Sequence, residues 1–278
     1  MASAVRTAGL DKFYTREPIA LSCIEEVAKR WPWSHWTLVV EPSAGAAAFL
    51  KQIPSDRRIG IDISPEADGI LKQDFLTWVP PELGVYLVLG NPPFGTACSV
   101  AIQFFNHAAK WAHTIAFIVP RTFRRTSIQN KLARNFHLIS DMEIPMTPCS
   151  FEPPMMAKCC FQIWTRKSVE RNRDILIRTH PDWDFLGLGS LDPSGQPTCP
   201  GGADLALRAY GGACGDIKKE GLGTLRAKSW HWIKSKIDAG ELERRFKTLD
   251  YSISRDTARQ NSIGRGELVR LYSNEFPS

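Results

Sequence analysis

Between Leu38 and Trp164, short runs of β-branched and other apolar residues alternate with longer stretches of helical spacing. Thr37–Val40, Arg58–Asp62, Val85–Leu89, Thr114–Val119 and Cys159–Thr165 read as strands, and most of them are apolar nearly throughout. Residues 44–52, 97–112 and 127–136 read as helices; in the second, Val100, Phe104, Ala108 and Trp111 fall on one face. Pro18–Arg30 predicts a helix ahead of this block, with Ile19, Cys23, Val27 and Ala28 on one side. Strands of this kind alternating with helices predict an α/β fold, built on a parallel sheet covered on both faces.

The pattern then changes. Residues 184–202 are rich in Gly, Pro and Ser and read as a loop or boundary. Beyond them come two strand candidates, Ala203–Tyr210 and Trp230–Lys234, and a helix at Ala239–Leu249. The expected organisation is a main domain over residues 1–167 and a smaller C-terminal extension over 168–278.

Composition narrows the function classes. Apolar residues make up 43% of the 278, enough for a core, and no apolar run approaches the ~20 residues of a membrane span. The N-terminus lacks the apolar segment of a signal peptide. Seven cysteines, at 23, 98, 149, 159, 160, 199 and 214, include no C-x-x-C pair, so neither a metal site nor a disulfide framework is expected. An intracellular protein is the expectation. Lys+Arg 35 against Asp+Glu 29 gives +6, compatible with a polyanionic partner without requiring one.

Polar clusters fall where the strands end. Glu41-Pro42-Ser43-Ala44-Gly45 follows the first strand, Asp62 closes the second, Asp74-Phe75 lies twelve residues on, and Asn91-Pro92-Pro93-Phe94 follows the strand at 85–89. Ligands of open parallel sheets bind beyond the carboxyl ends of the strands. A Gly turn admits a ligand to the backbone, an acidic residue can accept ribose hydroxyls, and a second acidic residue beside an aromatic can take an adenine ring. Each of these signals also has an ordinary structural reading as a turn, a cap or a solvated charge. The tetrapeptide is more specific. Two prolines lock the backbone and remove two N–H donors, between an amide oxygen and an aromatic face.

In this order, with Lys12-Phe13-Tyr14-Thr15 ahead of them, these residues resemble the class I S-adenosylmethionine-dependent adenine-N6 methyltransferases. The similarity extends to modification methyltransferases of large DNA viruses, phages and bacteria, and covers about residues 10 to 167. It implies a Rossmann-like, seven-stranded, mostly parallel sheet. It also implies that Phe13, Tyr14 and Thr15 hold the methionine end of S-adenosylmethionine, and that Glu41, Ser43 and Gly45 line its middle. Asp62 would take the ribose, and Asp74 with Phe75 the adenine. Asn91, with Pro92, Pro93 and Phe94, would be catalytic and would also border the cofactor. Where the family commonly has a second Gly, two positions after Gly45, this chain has Ala47.

The chemistry that follows is transfer of a methyl group to the N6 amine of adenine in DNA. The lone pair of such an amine is delocalised into its ring, and acceptors on Asn91 and Pro92 would draw the nitrogen toward tetrahedral geometry. In a duplex the base must be flipped out. Arg121, Arg124 and Arg125, after the strand at 114–119, are candidate phosphate contacts, and Phe151 is a candidate second stacking face. Trp230-His231-Trp232-Ile233-Lys234 interleaves aromatic and basic residues, as single-strand binders do. RNA adenine or guanine amines are alternative targets, and a catalytically silent nucleic-acid-binding partner is an alternative from another class.

Overall fold

The computed structural model describes residues 13–277, so Lys12 lies outside the described residues. The elements in chain order are β1 (Tyr14–Thr15), α1 (Glu17–Ala28), β2 (Leu38–Pro42), β3 (Arg58–Asp62), β4 (Ile70–Lys72), β5 (Tyr86–Gly90), α2 (Ser99–Ala108) and β6 (Thr114–Pro120). There follow α3 (Thr126–Gln129), β7 (Phe136–Glu143), β8 (Phe151–Glu152) and β9 (Cys159–Arg166). Beyond these lie β10 (Trp183–Leu186), β11 (Leu205–Arg208), β12 (Ile217–Lys218), β13 (Trp230–Ser235), α4 (Ala239–Thr248) and α5 (Arg265–Glu275). The chain divides into two compact units, before and after the Arg173–Asp174 bond.

The first unit holds a seven-stranded sheet in the order β4-β3-β2-β5-β6-β9-β7. Every neighbouring pair from β4 to β6 is parallel, and β9 runs antiparallel to both β6 and β7. It is thus the mostly parallel, Rossmann-like α/β sheet expected. The period-two alternation of side chains sends successive residues to opposite faces. Val40, Val88, Ile115 and Phe117 enter a core with Ala101, Phe104, Phe105 and Ala108 of α2. Val39, Leu87, Leu89, Ala116 and Ile118 enter a second core with Ala20, Cys23, Ile24 and Val27 of α1. Fully burying one such large apolar side chain is worth roughly 1.5–3 kcal/mol, so two continuous cores fix the register of the sheet.

One expected helix is not formed and another is cut short. Residues 44–49 are a series of turns that end in one 3-10 turn at Leu50–Gln52, because Ser43, Gly45 and Ala47 all take positive φ (58°, 49° and 65°). Between 127 and 136 only α3 is helical; Ile128, Leu132 and Phe136 are buried at helical spacing, but Phe136 already pairs with Arg166 as the first residue of β7.

In the second unit, β10-β13-β11-β12 form an antiparallel sheet, so the expected 184–202 loop begins inside a strand. Leu205, Leu207 and Ile233 face a core with Leu242 and Phe246 of α4 and Leu268 and Tyr272 of α5. Trp230 and Trp232 are buried with Ala206 and Ala227, and Lys234 pairs with Asp204 at 2.9 Å. The indole rings expected to meet single strands are therefore core.

Candidate active site

The order of strands reverses between β2 and β5, which places the segments after these two strands side by side beyond the carboxyl edge of the sheet. A cavity of about 410 Å³ opens there. Its walls include Phe13, Tyr14, Ser43, Gly45, Asp62, Asp74, Phe75 and all four residues of Asn91–Phe94. Eleven residues chosen from the sequence thus share one cavity.

Backbone conformation shapes the wall after β2. Gly45 has φ +49°, and a Cβ there would stand 2.8 Å from Tyr14 Cε1, so only glycine allows this approach. The Asp62 carboxylate accepts from the Gly45 N–H at 2.8 Å and the Ser64 N–H at 2.7 Å, tying the turn to the end of β3. Ser43 Oγ donates to the Pro42 carbonyl, and it lies 3.3 Å from the Asn91 carbonyl oxygen, joining the turn to the end of β5. Tyr14 donates from its hydroxyl to Glu66 at 2.5 Å; burial and this carboxylate raise the pKa of the phenol.

Glu41 supports this wall from behind. It is 3% exposed and lies outside the cavity lining, and its carboxyl accepts from the Leu50 N–H at 2.7 Å. Burial pushes its pKa up to about 8, against the pull of the Leu50 and Phe49 N–H groups. Its position corrects the expectation that it lines the middle of the cofactor: it braces the turn. Thr15 is also buried and outside the lining, with its hydroxyl lacking a partner.

On the opposite side, Asp74 caps the 3-10 turn Phe75–Thr77 by accepting from the Leu76 N–H at 2.9 Å through one oxygen. The Phe75 ring packs 5.1 Å from that of Phe104, and both line the cavity. Ile63, half-exposed at 50%, extends this apolar wall, and Gln73, Val100 and Met155 also line the cavity. An exposed Ile directly after Asp62 is the one sequence signal for these additions. Met155 and Phe104 carry none, since a loop residue has no period and Phe104 reads as helix core.

At the end of β5, Asn91 Nδ2 donates to the Phe13 carbonyl at 3.1 Å. A carbonyl can only accept, so this contact fixes which end of the amide is nitrogen. Asn91 Oδ1 is left shielded from solvent with no donor. A buried acceptor without a partner costs about 1–3 kcal/mol. Asp62, whose two oxygens each accept one backbone N–H, Asp74 with a second oxygen to offer, and an apolar wall of Phe75, Phe104 and Ile63 line one end of the cavity. Asn91 and Phe94 stand at its other end.

Two expectations about nucleic acid are corrected. Phe151 is 2% exposed and pairs in β8 with Thr15 of β1, inside the core under α1, so it presents no stacking face. Arg121 donates to Glu143 at 2.8 Å, and Arg124 to Asp141 at 2.5 Å and Glu143 at 3.2 Å. The carboxylates of β7 therefore neutralise Arg121 and Arg124, and the expectation is corrected for these two; Arg125 stands ahead of α3. No group of metal-ligating side chains occurs among the described residues.

No protein-family profile matches the chain, and no curated protein matches it in sequence. Among solved structures, the 23S rRNA methyltransferase ErmE is 18% identical, with a TM-score of 0.39 over 58% of this chain and 71% of that one. The N-methyltransferase NodS from Bradyrhizobium japonicum WM9, in complex with S-adenosyl-L-homocysteine, is 10% identical, with a TM-score of 0.41 over 55% and 87%. At that level of likeness neither activity nor substrate transfers to this chain.

Proposed function

We propose that this protein uses S-adenosylmethionine to methylate the N6 amine of adenine in nucleic acid, DNA in the first place. The observation that carries the reading is the unpartnered Asn91 Oδ1, held in place through Nδ2 at the edge of a recess of nucleoside character. The residues fit the cofactor: Asp62 would hold the ribose, Asp74 and the Phe75 N–H the adenine edge, and Phe13, Tyr14, Ser43 and Gly45 the remainder. Thr15, outside the lining, adds a second buried oxygen without a partner beside this end of the chain. When bound, S-adenosylmethionine supplies an electrophilic methyl group.

The chain's own residues do the rest. Asn91 Oδ1 and the Pro92 carbonyl each accept one hydrogen of the target amine. That withdraws the nitrogen lone pair from the ring and stabilises positive charge as the new bond forms. Pro92 and Pro93 hold the two acceptors rigid, so no reorganisation is needed during the step. Phe94 packs on the target base, and Met155, which lines the same cavity, takes the contact expected of Phe151. No charged base is required, because the nitrogen sheds its proton to water after methylation.

The test is incubation of the protein and S-adenosylmethionine with DNA and, separately, RNA, followed by nucleoside mass spectrometry. N6-methyladenine in DNA is the expected product. A methylated guanine or a product in RNA alone would change the target, and cofactor binding without any product would point to a silent partner.

A further inference from the structure

A second concave site lies at the other edge of the same sheet. Its volume is about 430 Å³, and it is walled by Trp31 and His35 after α1, by His113 before β6, and by Arg166, Lys167 and Ser168 at the end of β9. Among the described lining residues none is acidic. No described carboxylate pairs with His35, His113, Arg166 or Lys167 either.

These groups are held in place. The Arg166 N–H donates to the His113 carbonyl at 2.9 Å, the His113 N–H to Tyr86 at 2.9 Å, and the Lys167 N–H to Asn135 at 2.8 Å. The Arg166 guanidinium donates to the Ala112 and Ala109 carbonyls at 3.0 and 2.7 Å, closing the end of α2. His113 Nδ1 accepts from the Tyr86 N–H at 3.4 Å, so the neutral ring carries its proton on Nε2 and presents a donor there. Burial first, and then the neighbouring Arg166 and His35, hold the His113 pKa below its usual value.

We propose that this pocket binds a phosphate group, carried either by a small phosphorylated molecule or by a nucleic-acid backbone. Phosphate suits it because several acceptor oxygens and a negative charge match donors converging from three separate segments. The pocket is larger than one phosphate, and the Trp31 ring adds an apolar wall for the rest of the ligand. It is separate from the methyl-transfer cavity: β5 runs from Tyr86 beside this pocket to Gly90 beside Asn91, roughly 13 Å along the strand.

Calorimetry with pyrophosphate and, in a second arm, with a short oligothymidylate tests the assignment. One or both should bind, and the bound ligand should raise the pH midpoint of the His113 imidazole resonances. His113→Asn combined with Lys167→Gln should weaken binding at least tenfold while S-adenosylmethionine affinity stays within twofold. The exposed Lys167→Gln change alone should weaken it severalfold, which covers the case of a poorly folded double variant. Pyrophosphate alone responding to the variants identifies a small phosphorylated ligand; oligothymidylate alone identifies a backbone. Absence of binding by either at millimolar concentration, or binding that the variants leave unchanged, overturns the proposal.

Discussion

Asn91 Nδ2 and the Phe13 carbonyl are 3.1 Å apart, and this one hydrogen bond orients the only side-chain amide of the Asn91–Phe94 segment. It commits the donor end of the amide to the backbone and leaves the acceptor end without a partner, the end that the proposed mechanism gives to the target amine. Asn91→Ala removes both ends. Methyl transfer should fall on the order of 10²–10³-fold, the scale seen when one preorganised polar group is lost from a site of this kind. Affinity for S-adenosylmethionine should change little, because Asp62, Asp74 and Gly45 are untouched. Single-turnover transfer of a labelled methyl group, with calorimetry of the cofactor, separates the two effects; a variant with full transfer would remove Asn91 from the mechanism.

Asp74 uses one carboxylate oxygen to cap the turn after it and offers the other to the cavity. Asn retains a capping oxygen, so Asp74→Asn should leave thermal stability unchanged. In the proposed role it weakens a charge-assisted hydrogen bond to the cofactor, so KM for S-adenosylmethionine should rise about tenfold with kcat nearly constant. Steady-state kinetics at saturating nucleic acid measures both. A fall in kcat with KM unaltered would place Asp74 outside the cofactor site.

The sheet and the cavity were legible because both rest on strong local signals. Val85–Leu89 and Thr114–Val119 are continuous apolar runs, which only strands buried on both faces demand. The strand-end clusters needed only the rule that parallel strands deliver their following loops to one edge. The turn after β2 was less legible, since Ala44 to Ala48 has high helix propensity while its conformation is set from outside: Glu41 takes the Leu50 N–H and Asp62 takes the Gly45 N–H. Ile70–Lys72 is a three-residue edge strand with mostly exposed side chains, and so carries no apolar pattern. The pairing of Arg121 and Arg124 with β7 depends on a long-range register that no local pattern encodes.

Ala47 occupies the left-handed region at φ +65° and is 3% exposed. That conformation costs a non-glycine residue roughly 1–2 kcal/mol, while glycine in its place loses about 0.4–1 kcal/mol through the unfolded chain. Ala47→Gly should therefore range from neutral to about 1.6 kcal/mol more stable. Ala47→Val adds a β-branched side chain to the same strained, enclosed position and should lose at least about 2 kcal/mol. Urea unfolding of the three proteins reports the order. A Gly variant clearly less stable than the parent would mean that the turn does not hold this conformation.

Glu41 makes stability depend on pH in the sense opposite to that of a salt-bridged carboxylate. Its pKa is about 8 in the folded protein against 4.5 for the ordinary group. Between those values the folded state keeps a proton that the unfolded state has released. The contribution is complete below pH 4.5 and is lost as the pH rises toward 8. Glu41→Gln is neutral at every pH and retains an oxygen for the Leu50 N–H, so it lacks this slope. The difference in unfolding free energy between the two proteins should therefore shift in favour of Gln by up to a few kcal/mol from pH 5 to pH 8. Denaturant titrations at unit pH intervals give that difference directly, with the other titrating groups cancelling between the two proteins. Parallel curves would mean that Glu41 is already ionised within the fold, held by its two backbone donors despite its burial.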